Sequence, residues 1–138
     1  MSNTEVKRLT DQLSVSAQPQ IEDIKQFADL GFKTIINNRP DGESADQPDE
    51  ADLAHAAQQA GLRYIYLPIT PGQFTDDAVA TFAKHLDQAE GPILAFCRTG
   101  TRSTTLWALS QSGSGDAAQI IKTAGDAGYD LSQLADRL

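Results

Sequence analysis

The sequence predicts one α/β domain over residues 1–138: a single parallel sheet flanked by helices on both faces. Three observations carry that expectation. A chain of 138 residues sits near the commonest size of a single domain. Short apolar, partly β-branched runs at 32–37, 62–69 and 93–96 are separated by stretches of helical periodicity. The run Ile93, Leu94, Ala95, Phe96 is apolar without alternation, as a central parallel strand covered on both faces must be. Such strands need right-handed helical crossovers, and their carboxyl ends form the usual ligand crevice.

Residues 6–15 alternate weakly and suggest a hairpin about Thr10 and Asp11. Gln18, Pro19 and Gln20 open a helix whose apolar positions are Ile21, Ile24, Phe27, Ala28 and Leu30, with Gly31 as its stop. The strand FKTIIN at 32–37 ends in turn chemistry at 38–42. Pro48 and the acids around it mark the start of an Ala-rich helix over 50–60, closed by Gly61. The strand LRYIYLPI at 62–69 leads through a Pro71-Gly72 loop to Thr75. Thr75 is a good N-cap for a helix bearing Val79, Phe82, Ala83 and Leu86. Gly91 and Pro92 break that helix ahead of the third strand. A turn at 97–102 precedes a helix over 103–111, then a break at Gly113, Ser114 and Gly115. Terminal helices are expected over 116–124 and 131–138. No internal repeat or low-complexity segment interrupts the pattern.

Composition limits the chemistry. Hydrophobic residues at 40 % and charged residues at 22 % are those of a folded chain. Eleven Lys and Arg against 19 Asp and Glu give a formal charge of −8, which argues against nucleic-acid or anionic-membrane partners. No run of 18 apolar residues is present, and residues 1–12 lack an apolar leader core, so the expected setting is the cytoplasm. One cysteine cannot form an internal disulfide or a paired-cysteine zinc site. His55 and His85 stand alone on predicted helices, away from metal-ligand spacing, and no metal or cofactor is expected.

The informative segment is PILAFCRTGTRS, residues 92–103. A buried strand delivers Cys97 to a loop, and a helix begins directly afterwards. There the unpaired N–H groups and the macrodipole favour negative charge on sulfur. Arg98 and Arg102 flank the thiol. Gly100 lets successive N–H groups turn inward as an anion nest, and Thr99, Thr101 and Ser103 bring hydroxyl donors for sulfur or a bound anion. Cys97 is therefore the expected nucleophile. Arg39, at the end of the first central strand, should reach the same sheet edge. It has two open roles, anion binding or pairing with Asp41 or Glu43. Trp107 and Phe82 read as core, and the acidic stretch 41–52 as a solvated loop and helix start.

The segments LSVSAQP at 13–19, GFKTIINNRPDGE at 31–43, FCRTGTRSTTLWAL at 96–109 and AGYDL at 127–131 resemble the phosphatase-like domain of beta-lactamase hydrolase-like proteins. The resemblance covers nearly the whole chain. It implies a tyrosine/dual-specificity phosphatase fold, a roughly four-stranded parallel sheet flanked by helices, with Cys97 as nucleophile and Arg102 as the anion-binding arginine. It also implies that in some relatives the domain is fused to a metallo-beta-lactamase-fold hydrolase linked to sulfide metabolism.

Departures from the phosphatase pattern bear on the reaction. Cysteine phosphatases carry His before the cysteine and five residues between cysteine and arginine. Here Phe96 precedes Cys97, and four residues separate Cys97 from Arg102. The expected general-acid position after the second strand holds Pro71, and the nearest acids are Asp76 and Asp77, which also suit a helix first turn. Phosphate esters need a wide oxygen cradle and a proton for the leaving group; transfer of a sulfane sulfur needs a thiolate and a good leaving group but no dedicated acid. The spacing Cys-Arg-x-Gly-x-Arg also matches a rhodanese-type loop. On these grounds the sequence favours sulfurtransferase-like chemistry through a Cys97 persulfide. Phosphatase chemistry through a thiophosphoryl intermediate stands as the alternative, followed by a catalytically silent anion-binding module. The expected partner is a small anion (persulfide, thiosulfate or phosphoester), with a low-molecular-weight thiol as acceptor in the first case.

Overall fold

The computed structural model describes residues 5–112 and 116–138. Five strands, β1 (Val6–Arg8), β2 (Leu13–Ser16), β3 (Thr34–Asn37), β4 (Arg63–Tyr66) and β5 (Ile93–Phe96), form one sheet in the order β1-β2-β5-β3-β4. The four strands β2 to β5 are parallel to their neighbours, and β1 pairs antiparallel with β2 at the edge. The sheet is thus mixed and one strand wider than the expected parallel sheet. The addition is the hairpin that residues 6–15 suggest. The Thr10 hydroxyl closes its turn by accepting from the Gln12 and Leu13 N–H groups.

Strand β5 lies at the centre, and its side chains divide two cores. Ile93 and Ala95 join Leu13, Val15 and Ile36 on one face, beneath Phe82, Leu106, Trp107 and Ile120. Leu94 and Phe96 join Ile35 on the other, beneath Ile24, Phe27, Leu53 and Ala57. The two-residue period of a strand makes this division, so a strand buried on both sides must be apolar throughout. Helices α1 (Ile21–Asp29) and α2 (Glu50–Gln59) cover the second face. Helices α3 (Asp76–Gln88), α4 (Thr101–Ser110) and α5 (Ala117–Asp126) cover the first. Trp107 and Phe82 are core residues, as their apolar neighbours in the sequence suggest.

Several boundaries move, the second central strand most, from the expected 62–69 to Arg63–Tyr66. Helix α1 starts at Ile21 rather than Gln18 because Gln20 is its N-cap, with the Gln20 N–H donating to Asp23 Oδ2. Helix α4 starts at Thr101, two residues before the expected 103, because Gly100 is its N-cap at a φ of 94°. The terminal segment forms a 3-10 helix, Ser132–Arg137, in place of an α-helix. The break expected at Gly113, Ser114 and Gly115 lies outside the described residues. Among the described residues, no helix is long and apolar enough to cross a membrane.

Candidate active site

The carboxyl ends of β2, β3 and β5 meet at one edge. Register pairs Phe96 with both Ser16 and Asn37, so Cys97 leaves β5 between the ends of two neighbouring strands. The Asn38 N–H donates to the Phe96 carbonyl, and the Gln18 N–H to the Arg98 carbonyl, tying both flanks to the Cys97 loop. Cys97 is 1 % exposed, yet neither apolar cluster of described residues includes it. Its sulfur accepts a hydrogen bond from the Gly100 N–H at 3.1 Å. The thiol is buried with a backbone N–H donor against it.

Gly100 is fixed there by more than its φ. A Cβ at this position would lie 2.1 Å from the Tyr129 hydroxyl oxygen and 3.2 Å from the Ser16 carbonyl oxygen. Only a glycine permits both the left-handed backbone and the close approach of these groups. Helix α4 then begins without a side-chain cap and without an acid in its first turn. The anion-favouring end of the helix dipole therefore faces the loop uncompensated.

Arg102 is bound in a defined way. Its Nη1 donates to Glu43 Oε2 and to the Ile69 carbonyl, both at 2.8 Å, and its Nη2 donates to Glu43 Oε1 at 2.8 Å. Glu43 thus takes the end-on fork of the guanidinium. The side-on fork, Nε–H with the second Nη2–H, has no oxygen acceptor among the described residues. Two parallel donors of that kind suit two oxygens of a tetrahedral anion. The Glu43 hydrogen bonds hold Arg102 above its ordinary pKa, partial burial opposes them, and attraction to the Cys97 sulfur adds to them.

Glu43 also accepts from Arg39 Nε at 3.0 Å, so one carboxylate braces two arginines. The Arg102 hydrogen bond is the main reason its pKa lies below the ordinary carboxylate value, with Arg39 assisting against the cost of burial. Of the two roles open to Arg39, the structure displays the ion pair. Its side chain is 5 % exposed and donates to Glu43, Gln18 and Ser44. Arg98 is exposed beside an open polar hollow of about 290 Å³, also lined by Arg39, Gln18, Gln47 and Asp46.

Other expected donors are engaged elsewhere. The Ser103 hydroxyl donates to Asn38 Oδ1 at 2.7 Å, so it joins α4 to the end of β3 and is not a donor to sulfur. The exposed Thr99 hydroxyl donates to the Thr101 hydroxyl, and Thr99 Oγ1 accepts from the Thr101 N–H. Asp76 and Asp77 lie exposed in the first turn of α3, where the Thr75 hydroxyl caps the Ala78 N–H. They take no part in the hydrogen bonds of the Cys97 loop. Among the described residues, no group of three His, Cys, Asp or Glu side chains could hold a metal.

Two site residues escaped the sequence reading. Glu43 appeared there only as one of two partners open to Arg39. Its hold on Arg102 spans 59 positions of sequence and leaves no local signal. Tyr129 follows α5, half-buried, and its hydroxyl donates to the Thr99 carbonyl at 3.1 Å. Burial raises its pKa, and the nearby Cys97 charge raises it further.

A central strand feeding a cysteine into a glycine-turned loop, followed by an uncapped helix carrying an arginine, defines a domain of the tyrosine/dual-specificity phosphatase-like fold. Kinase associated phosphatase shares that fold, with a TM-score of 0.73 over 96 % of this chain and 89 % of its own at 17 % identity. The model of the beta-lactamase hydrolase-like protein phosphatase-like domain matches residues 5–114, and the chain belongs to that family. The beta-lactamase hydrolase-like protein of Agrobacterium fabrum is 37 % identical over 105 residues, 76 % of this chain and 24 % of that protein. The chain therefore spans about a quarter of the length of the curated relatives it matches. A candidate phosphatase of Neisseria meningitidis is similar in structure throughout. Its TM-score is 0.87 and its identity 39 %, covering 95 % of this chain and 94 % of that one.

Proposed function

We propose that this chain is a cysteine-dependent phosphatase for small monoesters whose leaving group departs without protonation, aryl phosphates being the type. The observation that supports this reading is the braced Arg102. Its end-on fork is occupied by Glu43, its Nε has no oxygen acceptor among the described residues, and the Cys97 sulfur is near enough to favour its charge. In the reaction, Cys97 Sγ attacks phosphorus and an S–P bond forms as the ester P–O bond breaks. The Arg102 fork and the loop N–H groups hold the equatorial oxygens. The leaving phenolate takes its proton from water. A second water then cleaves the S–P bond, releasing phosphate and restoring the thiolate.

The missing acid defines the substrate class. Glu43 is kept ionised by two arginines, so it has no proton to give. Asp76 and Asp77 belong to the first turn of α3. Without a positioned acid, the rate should depend steeply on leaving-group pKa, since general acids contribute about 10²–10⁴-fold. The test is hydrolysis of a series of aryl phosphates by the native chain, Cys97→Ser and Arg102→Ala. Turnover lost in both variants, with a steep leaving-group dependence in the native chain, supports the reading. Turnover that survives Cys97→Ser overturns it.

The four-residue spacing between Cys97 and Arg102, together with the lack of a proton donor, favours a second reading. In this sulfurtransferase reading, Cys97 thiolate attacks the outer sulfur of thiosulfate, an S–S bond forms and sulfite leaves. An acceptor thiolate then removes the outer sulfur and Cys97 returns to thiolate. Intact mass after incubation with thiosulfate tests it: one added sulfur that Cys97→Ser abolishes supports sulfur transfer, and an unchanged mass excludes it for that donor.

A further inference from the structure

Tyr129 and Cys97 are bonded to opposite ends of the same peptide group. The Tyr129 hydroxyl donates to the Thr99 carbonyl oxygen at 3.1 Å, and the N–H of that peptide, on Gly100, donates to Cys97 Sγ at 3.1 Å. A peptide is conjugated, so a donor on its oxygen draws electron density from its nitrogen and makes the N–H a stronger donor. We propose that Tyr129 is a positioning residue for the Cys97 nucleophile, its hydroxyl polarising the 99–100 peptide and so strengthening the hydrogen bond that the sulfur accepts from the Gly100 N–H. The inference rests on Cys97 being the reacting group of the proposed function.

The fold explains why the tyrosine is there. Just beyond α5, Gly128 takes a φ of 102°, and the Tyr129 N–H donates back to the Ala124 carbonyl, which turns the chain toward the loop. The glycine at 100 gives the hydroxyl its close approach, since a Cβ would occupy its place. The charged groups around this relay are Arg102 from α4, with Glu43 bound to it, Arg98 in the loop, and Glu5, whose charge reaches Tyr129. Tyr129→Phe alters none of them.

The experiment is the rate of Cys97 alkylation by iodoacetamide across pH, in the full native chain and in Tyr129→Phe. Phenylalanine keeps the ring over Gly100 and removes only the O–H. The expected result is a displacement of the profile to higher pH, so that rates on its rising limb fall about two- to three-fold with the plateau retained. A superimposable profile overturns the proposal, because ring packing alone would survive the substitution. Should Tyr129→Phe fail to fold by thermal melting, 3-fluorotyrosine at 129 replaces it. Its more acidic phenol is a stronger donor, so the profile must move to lower pH, and movement to higher pH overturns the proposal. Alkylation requires no phosphoester. A native chain that shows the predicted profiles but hydrolyses no ester therefore refutes the phosphatase reading while leaving the relay in place.

Discussion

Helices α3 and α4 pack against one another on the same face of the sheet, yet they begin in opposite ways. Helix α3 starts with Thr75, whose hydroxyl accepts from the Ala78 N–H, and with Asp76 and Asp77 against the positive end of the dipole. Its first turn is satisfied from its own sequence and faces water. Helix α4 starts with a left-handed glycine, no side-chain cap and no acid, and its preceding loop wraps a buried sulfur. The proposed anion binding thus rests on what α4 omits. A helix that caps itself has little left for a ligand.

The largest effect should come from the sulfur. Cys97→Ser replaces a polarisable sulfur by a hydroxyl that does not ionise near neutrality, and aryl phosphate hydrolysis should fall to background. Arg102→Lys should cost about 10²–10³-fold in kcat, although the charge is kept, because an ammonium has no planar fork to share between Glu43 and an anion. Both losses are measured in one steady-state assay. A lysine variant that retains full kcat would show the fork to be dispensable and reduce α4 to an ordinary helix terminus.

Gly100→Ala should rank next. The methyl meets the Tyr129 hydroxyl and the end of β2 at a backbone conformation that alanine resists, so about 1–3 kcal/mol of stability should be lost. Denaturant unfolding measures this. Alanine at the exposed Gly72, which has a φ of 81° but no atom within 4 Å of its Cβ, isolates the backbone share. If the two substitutions cost the same, the approach of Tyr129 contributes nothing.

Glu43→Gln should cost roughly 1–2 kcal/mol, since it weakens three charged hydrogen bonds at a side chain that is 21 % exposed. The pH dependence has a definite sign. Glu43 is held below its ordinary value of 4.5, so its contribution is fully present above that value and fades as the pH falls through the lower folded value. The melting temperatures of the native chain and the Glu43→Gln variant should therefore converge as the pH is lowered below about 4.5. A constant gap down to acid pH would show that the carboxylate braces the arginines by shape alone.

The sequence makes the α4 side of this contrast legible only in part. The strand 93–96, the thiol after it and Gly100 are local, and their consequences follow from spacing and backbone preference. The hairpin at the sheet edge was visible as alternation, but its pairing beside β2 added a fifth strand that a count of apolar runs does not yield. The bracing of Arg102 was invisible because Glu43 reaches it across 59 positions, from a loop that reads simply as acidic and solvated. Ser103 shows the converse error. A hydroxyl near a thiol looks like a donor to it until Asn38, just beyond β3, accepts its hydrogen bond.

The smallest effects belong to α3, and they are the control for everything above. Thr75→Ala removes the cap and should cost about 1 kcal/mol of stability, read as a lower melting temperature, with no change in hydrolysis or in Cys97 alkylation. Asp76→Asn with Asp77→Asn removes first-turn charge and should cost about 0.3–1 kcal/mol per residue at low ionic strength, less in salt. Hydrolysis should keep its rate and its leaving-group dependence, because neither carboxylate takes part in the hydrogen bonds of the Cys97 loop. If instead the double variant loses about 10²-fold on alkyl phosphates and little on aryl phosphates, one of these acids protonates the leaving group. In that event the start of α3 would have to come over the sulfur during turnover, and the two helix termini would be parts of one site.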